Sequence, residues 1–218
     1  ATDPIPSSLT VNIITGAFVL DKRWQNDPSY TTPTIYYTDS QSLDRMYNLL
    51  SRVDLLPEDI KSGTSTIQYL KADKDQIVSA VSLSQAHFVQ VNLYRAPVDG
   101  VEVVAPRSDR GLITAVLALQ REDERQFVNL NYNYFPVDLD RSAVYPLIGV
   151  AEAWQRLQKG GGFIAGVKQN TTNVVIRDIT LQFYDPDTAQ QFMQPVYVFT
   201  GDPDFTAYVP AVADAWLE

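Results

Sequence analysis

Two acidic triplets interrupt apolar runs in this chain: Asp185-Pro186-Asp187 after LQFY, and Asp202-Pro203-Asp204 inside MQPVYVFTGDPDFTAYVPAV. Carboxylates are the right donors for a hard cation such as calcium, which takes about six to eight oxygens. Neither triplet continues into the alternating Asp, Gly and closing Glu of an EF-hand loop. Proline fixes φ between strand-like runs and aspartate bonds nearby backbone amides, so both triplets read first as turns. Asp185, Asp187, Asp202 and Asp204 remain metal candidates on one condition, that the strand ends carrying them lie side by side.

Other chemistry-bearing patterns also have plainer readings. In KGGGFIAGVK, Gly160, Gly162 and Ala165 have the spacing of a dinucleotide fingerprint. That motif must follow a strand and open a helix, whereas this one closes a helix and opens a strand. Lys168 is one position too late for a phosphate-binding loop. His87 is the only histidine, and its place on a strand beside Val89 and Val91 suits a partly buried structural role better than a catalytic one. The acids of REDER (Glu122, Asp123, Glu124) suit a solvated hairpin turn, and Asp138 and Asp140 of VDLDR lie in a polar connection. The sequon at Asn170 also reads as a hairpin loop unless the host glycosylates secreted chains. No catalytic set and no cofactor-binding set emerges.

Composition narrows the partners. A net charge of −9 and a pI near 4.6 repel phosphate backbones and anionic lipid surfaces, so nucleic acid is not an expected partner. With no cysteine, disulfides, thiolate zinc sites and a cysteine nucleophile are excluded. The longest apolar runs, such as Leu112 to Leu119, fall far short of the roughly 18 to 20 residues of a membrane-spanning helix. The start at ATDPIPSS without an initiator Met suggests an ectodomain whose anchor or signal segment has been removed. Membrane association is expected only through such an anchor.

The elements that must position these residues are mostly strands. Phe127 to Phe135 alternates Val128, Leu130, Tyr132 and Tyr134 with Asn129, Asn131 and Asn133, giving one dry and one wet face. Further strands are expected at Leu9 to Ile14, Thr34 to Tyr37, Ile67 to Leu70, Ile77 to Leu83, His87 to Tyr94 and Leu112 to Leu119. Leu43, Met46, Tyr47, Leu50 and Val53 recur at helical spacing behind the capping candidates Asp39 and Ser40. Leu147, Val150, Ala151, Trp154 and Leu157 form a second helical stripe, which predicts a buried Trp154 packed on Tyr197 and Phe199. In NVVIRDITLQFY the apolar parity switches at Arg177 and Asp178, which predicts a bulge. Val196 to Phe199 is apolar on both faces and predicts a central strand. The expected fold is α+β, with predominantly antiparallel sheets and two main helices. Its expected division is a β-rich unit at residues 1–139 and a helix-plus-sheet unit at 140–218, the two packed together.

The order AEAWQRLQKGGGFIA, NVVIRDITLQFYD, MQPVYVFTGDPDFTAYVPAV, over about Tyr145 to Val212, resembles the C-terminal region of the YycH/YycI regulatory family. The resemblance implies a PepSY-related α+β unit of a bacterial, membrane-anchored, extracytoplasmic protein that modulates a cell-wall-sensing kinase. It brings no catalytic residue. The expected function is therefore a non-catalytic protein-binding or sensory module with a protein or peptide partner. Tyr36, Tyr37, Tyr132, Tyr134 and Tyr208 are its candidate contact residues, although aromatic stripes at period two more often pack inward. A hydrolase with an unfamiliar carboxylate site and a structural cell-surface domain are the alternatives.

Overall fold

A computed structural model describes residues 6–119 and 126–216; the REDER acids Glu122, Asp123 and Glu124 lie outside the described residues. The chain forms two compact units, Ala1–Arg95 with Gly111–Tyr134, and Ala96–Arg110 with Phe135–Glu218. The boundary expected at 139/140 had left segment 96–110 with the N-terminal half. Its short strand instead pairs in the second unit, a nonlocal choice that a linear reading does not reveal.

The first unit is built on β1 (Ser7–Val11), β2 (Phe18–Lys22), β3 (Ser65–Asp73), β4 (Gln76–Ser79), β5 (Phe88–Leu93), β7 (Ile113–Ala118) and β8 (Phe127–Tyr132). They form one antiparallel seven-stranded sheet in the order β1-β2-β8-β7-β5-β3-β4. Helix α1 (Asp39–Arg52) packs on β3 and β5 and buries Met46 and Leu50, and the short α2 (Glu58–Lys61) follows it. The N-cap lies one residue before the expected Asp39 and Ser40. Thr38 is the N-cap, its Oγ1 accepting from Gln41 N–H at 3.3 Å while Gln41 Oε1 accepts from Thr38 N–H at 3.0 Å. This reciprocal box leaves Asp39 as a first-turn acid. Thr34 to Tyr37 is not a strand; Thr34 N–H donates to Leu119 O, just past the end of β7, and Tyr37 O accepts from the Tyr69 hydroxyl rather than from a ladder. On the sheet face opposite α1, Trp24, Tyr30, Phe88 and Val128 form a core.

The second unit holds β6 (Val103–Val104), α3 (Val150–Gln158), β9 (Phe163–Gly166), β10 (Val175–Tyr184), β11 (Gln194–Asp202) and β12 (Phe205–Pro210). Its five-stranded sheet has the order β6-β10-β11-β12-β9, antiparallel except at β6. Within residues 140–218, α3 is followed by four strands, β9 to β12. β11 is central and buries Val196 to Phe199 on both faces, and the register slips between Ile176 and Asp178, where the parity switch placed a bulge.

Trp154 does not fill the core as expected. It is 37% exposed and only tilts over Phe199 at 6.0 Å, while Ala153 is fully buried. The small Ala153 lets α3 approach β12 closely and turns the tryptophan to the helix flank. Leu147 falls before the helix and bridges to Val212. The glycine run stops α3: Gly160 has φ +80°, and Gly161 N–H bonds back to Arg156 O at 2.8 Å. Among the described residues, no helix is long and apolar enough to cross a membrane.

Candidate functional site

The acidic triplets are separated by the sheet that carries them. In the antiparallel pair β10–β11, Tyr184 lies opposite Gln194 and Val175 opposite Asp202. Asp185 and Asp202 therefore sit at opposite ends of β10, roughly 30 Å apart at about 3.3 Å per residue. Asp202-Pro203-Asp204 makes the β11–β12 turn, with Asp204 at φ +46° and the Asp202 carboxylate taken by Arg177 Nε at 2.5 Å. Asp185 is buried, and its N–H pairs with Val104 O. The condition for a four-carboxylate site is not met, and among the described residues no group of three metal-capable side chains assembles elsewhere.

The tyrosine candidates divide. Tyr37, Tyr132 and Tyr208 are core residues. Tyr37 lies under the Arg45 guanidinium at 4.1 Å, Tyr132 stacks on Phe18 at 5.2 Å, and Tyr208 donates to Ala105 O at 2.9 Å. Burial raises the Tyr132 hydroxyl to about 12, with Tyr134 and Asp59 adding to the rise, so it stays a neutral phenol. Tyr134 is half-buried, and Tyr36 alone of the set is exposed.

Three polar clusters have the residue types for chemistry, and their interactions are mostly internal. Arg95, at the end of β5, is buried against Asp59 of α2, and its guanidinium lies 4.8 Å over the Tyr134 ring. The Tyr134 hydroxyl donates to Asp59 at 3.1 Å. On the sheet face opposite α1, the buried Asn92 Oδ1 accepts from Gln90 Nε2 (3.1 Å) and Thr114 Oγ1 (3.0 Å), and Asn92 Nδ2 donates to Thr66 Oγ1 (3.0 Å). The third cluster lies at a shallow surface depression beside α3, where Arg156 holds Glu152 and Asp214, each at 2.6 Å. Those hydrogen bonds, Glu152 first, raise the guanidinium pKa. Both acids thus balance a fixed cation rather than face each other across a reacting bond. His87 is a latch: Nδ1 accepts from Ala72 N–H at 3.0 Å beside the β3–β5 ladder. Burial, and then Lys71, lowers its pKa.

No family model, no curated protein and no solved structure matches the chain. A candidate site therefore rests on geometry alone.

That geometry singles out the β1–β2 hairpin. Asn12 Oδ1 accepts from the N–H groups of Ile14 (3.0 Å) and Thr15 (3.2 Å), and Gly16 closes the turn at φ +77°. The turn holds Ile13 and Ile14 at its apex, 94% and 91% exposed. Behind them, Leu9 is 61% exposed and Val11 is also exposed. Asn12 N–H donates to Ala17 O and Arg23 N–H to Pro6 O, so in β1 the even-numbered residues aim their backbone at β2. Ser7, Leu9 and Val11 aim theirs outward. Among the described residues no strand pairs with that side of β1.

The other sheet edges are blunted. β4 is four residues long and follows a turn containing Asp73, Lys74 and Asp75; β6 has two residues; β9 is capped where Ser108 N–H donates to Ala165 O. β1 is SSLTV, with no charge, proline or bulge to refuse a neighbour. The strand expected over Leu9 to Ile14 overruns: β1 ends at Val11, because the Asn12 side chain folds Ile13 and Ile14 into the turn. The Asn12 and Gly16 bracket was the signal available for the hairpin tip.

Proposed function

We propose that the chain is a non-catalytic, extracytoplasmic protein-binding module of a cell-envelope protein, regulatory in the manner of the YycH/YycI and PepSY-related proteins that its C-terminal segment resembles. One observation carries the binding reading: an uncharged edge strand, with no partner on its outer side among the described residues, leads into a turn that presents two isoleucines almost wholly to solvent. Apolar groups held out by a built turn signify a contact surface, and an open edge supplies backbone pairing to a partner. The acidic chain suits a protein partner better than nucleic acid.

The test is site-specific photo-crosslinking in the producing cell, from position 13 and from the equally exposed Val81 as control, with the compartment read by protease access to the intact cell surface. A discrete adduct from position 13 alone, on protease-accessible protein, is the expected result. Protection from protease rejects the extracytoplasmic placement. Indistinguishable crosslinking from the two positions rejects the hairpin as the contact surface.

A further inference from the structure

The apolar face of the first sheet stops unfinished at β1. Across the strands, one row reads Leu9, Leu20, Leu130, Ala115, Val91 and Ile67. Leu130, Ala115 and Val91 are buried, Leu20 is half-buried and Leu9 is exposed. The neighbouring row runs from Val11 through Phe18 and Tyr132 to Ile113 with the same gradient. α1 covers this face at β3 and β5, where Tyr69 donates to Asp39 at 2.6 Å, and leaves the β1 end open. The opposite face of the hairpin is polar, with Ser8, Thr10 and Asp21, and Asp21 accepts from Asn129 Nδ2 at 2.9 Å.

Resting on the binding-module reading, we propose that β1 takes an extended segment of another protein as an eighth strand, and that this segment has apolar residues at alternate positions and cationic residues between them. The apolar side chains lie opposite Leu9 and Val11 and complete the two rows, and Ile13 and Ile14 cover the end of the segment. The intervening side chains fall on the face of Ser8, Thr10 and Asp21, where the Asp21 carboxylate favours cations. A second copy fits less well, since each would bring the same charge.

The probe is an acetylated, amidated heptapeptide, Lys-Val-Lys-Leu-Lys-Val-Lys, compared with its Glu-for-Lys counterpart and with a Lys peptide of scrambled order. Binding is read by amide exchange at single residues. The expected result is slowed exchange at Ser7, Leu9 and Val11, with the acidic and scrambled peptides about tenfold or more weaker at low salt. Leu9→Pro removes an outward N–H and no ladder bond, so it should abolish this protection while keeping the wild-type melting temperature. Leu9→Lys serves as a second variant that retains the backbone donor but charges the apolar row, and it should weaken binding comparably. Equal affinity for the acidic peptide overturns the charge assignment. Protection that survives Leu9→Pro, or appears away from β1, overturns the edge. A dimer in light scattering that is lost in Leu9→Pro gives the edge to a second copy and overturns the proposal. If no peptide protects β1, the proposal falls, whereas a position-13 adduct in the cell leaves the binding module standing.

Discussion

Removing Asp59 should harm the first unit more than removing its cationic partner. The Arg95 side chain is 2% exposed and Asp59 is 34% exposed. In Asp59→Ala the guanidinium stays buried without its carboxylate, for which breaking a buried pair suggests a loss of about 3 to 5 kcal/mol. In Arg95→Met the carboxylate can be hydrated where it stands, and methionine refills most of the volume. What goes is the pair and the contact with the Tyr134 ring, together about 1 to 3 kcal/mol. Asp59→Ala/Arg95→Met should therefore be more stable than Asp59→Ala alone. Tyr134→Phe, which loses only the hydroxyl bond to Asp59, should cost about 1 kcal/mol. Trp24 is the only tryptophan of the first unit. Urea unfolding followed by fluorescence in a Trp154→Phe/Trp216→Phe background reports that unit by itself. If Arg95→Met costs as much as Asp59→Ala, or the double variant is the least stable, the burial asymmetry does not govern this pair.

In the second unit, Phe199→Ala should cost about 3 to 5 kcal/mol and Trp154→Ala about half that, because only the phenylalanine is fully enclosed; denaturation midpoints in the reverse order would refute the packing. The lowered His87 pKa means that the folded state favours neutral imidazole, so the latch contributes fully above the ordinary value of 6.5 and is lost as pH falls through the lower folded value. His87→Leu should flatten that part of the stability–pH curve relative to wild type, and parallel curves would refute the role. Millimolar calcium should leave the melting temperature unchanged, since the two triplets lie at opposite ends of β10; a rise abolished by Asp187→Asn/Asp204→Asn would contradict this.

Features set by local pattern were legible in the sequence. Val196 to Phe199 needs cover on both faces and is therefore central, and the parity switch at Arg177 can only be absorbed by a bulge. Features set by pairing were not. β2 was missed because Phe18 to Lys22 alternates poorly, and its strand character comes from lying between β1 and β8. Trp154 was misplaced because a helical stripe fixes a direction only to within about one residue, and Ala153 chose the contact by being small. Only the Leu9 to Val11 part of the hairpin was legible, and its exposure was not, because an edge is defined by the strand that does not arrive. Arg95 carried no local signal at all: its partners are 36 residues away at Asp59 and near the end of the unit at Tyr134.

The second unit is assembled from two separated stretches, Ala96–Arg110 and Phe135–Glu218, and this orders events on the ribosome. All strands of the first sheet have been synthesised once Tyr132 emerges, and that sheet can close while β6 has no partner. β6 must then wait for Phe183 and Tyr184, about fifty residues later, a delay of several seconds at roughly 5–20 residues per second. During that interval Val103 and Val104 are a short apolar segment on offer to any chaperone. For the same reason, a fragment starting at residue 135 lacks the parallel edge of its own sheet, and isolating the second unit intact requires splicing the chain rather than cutting it.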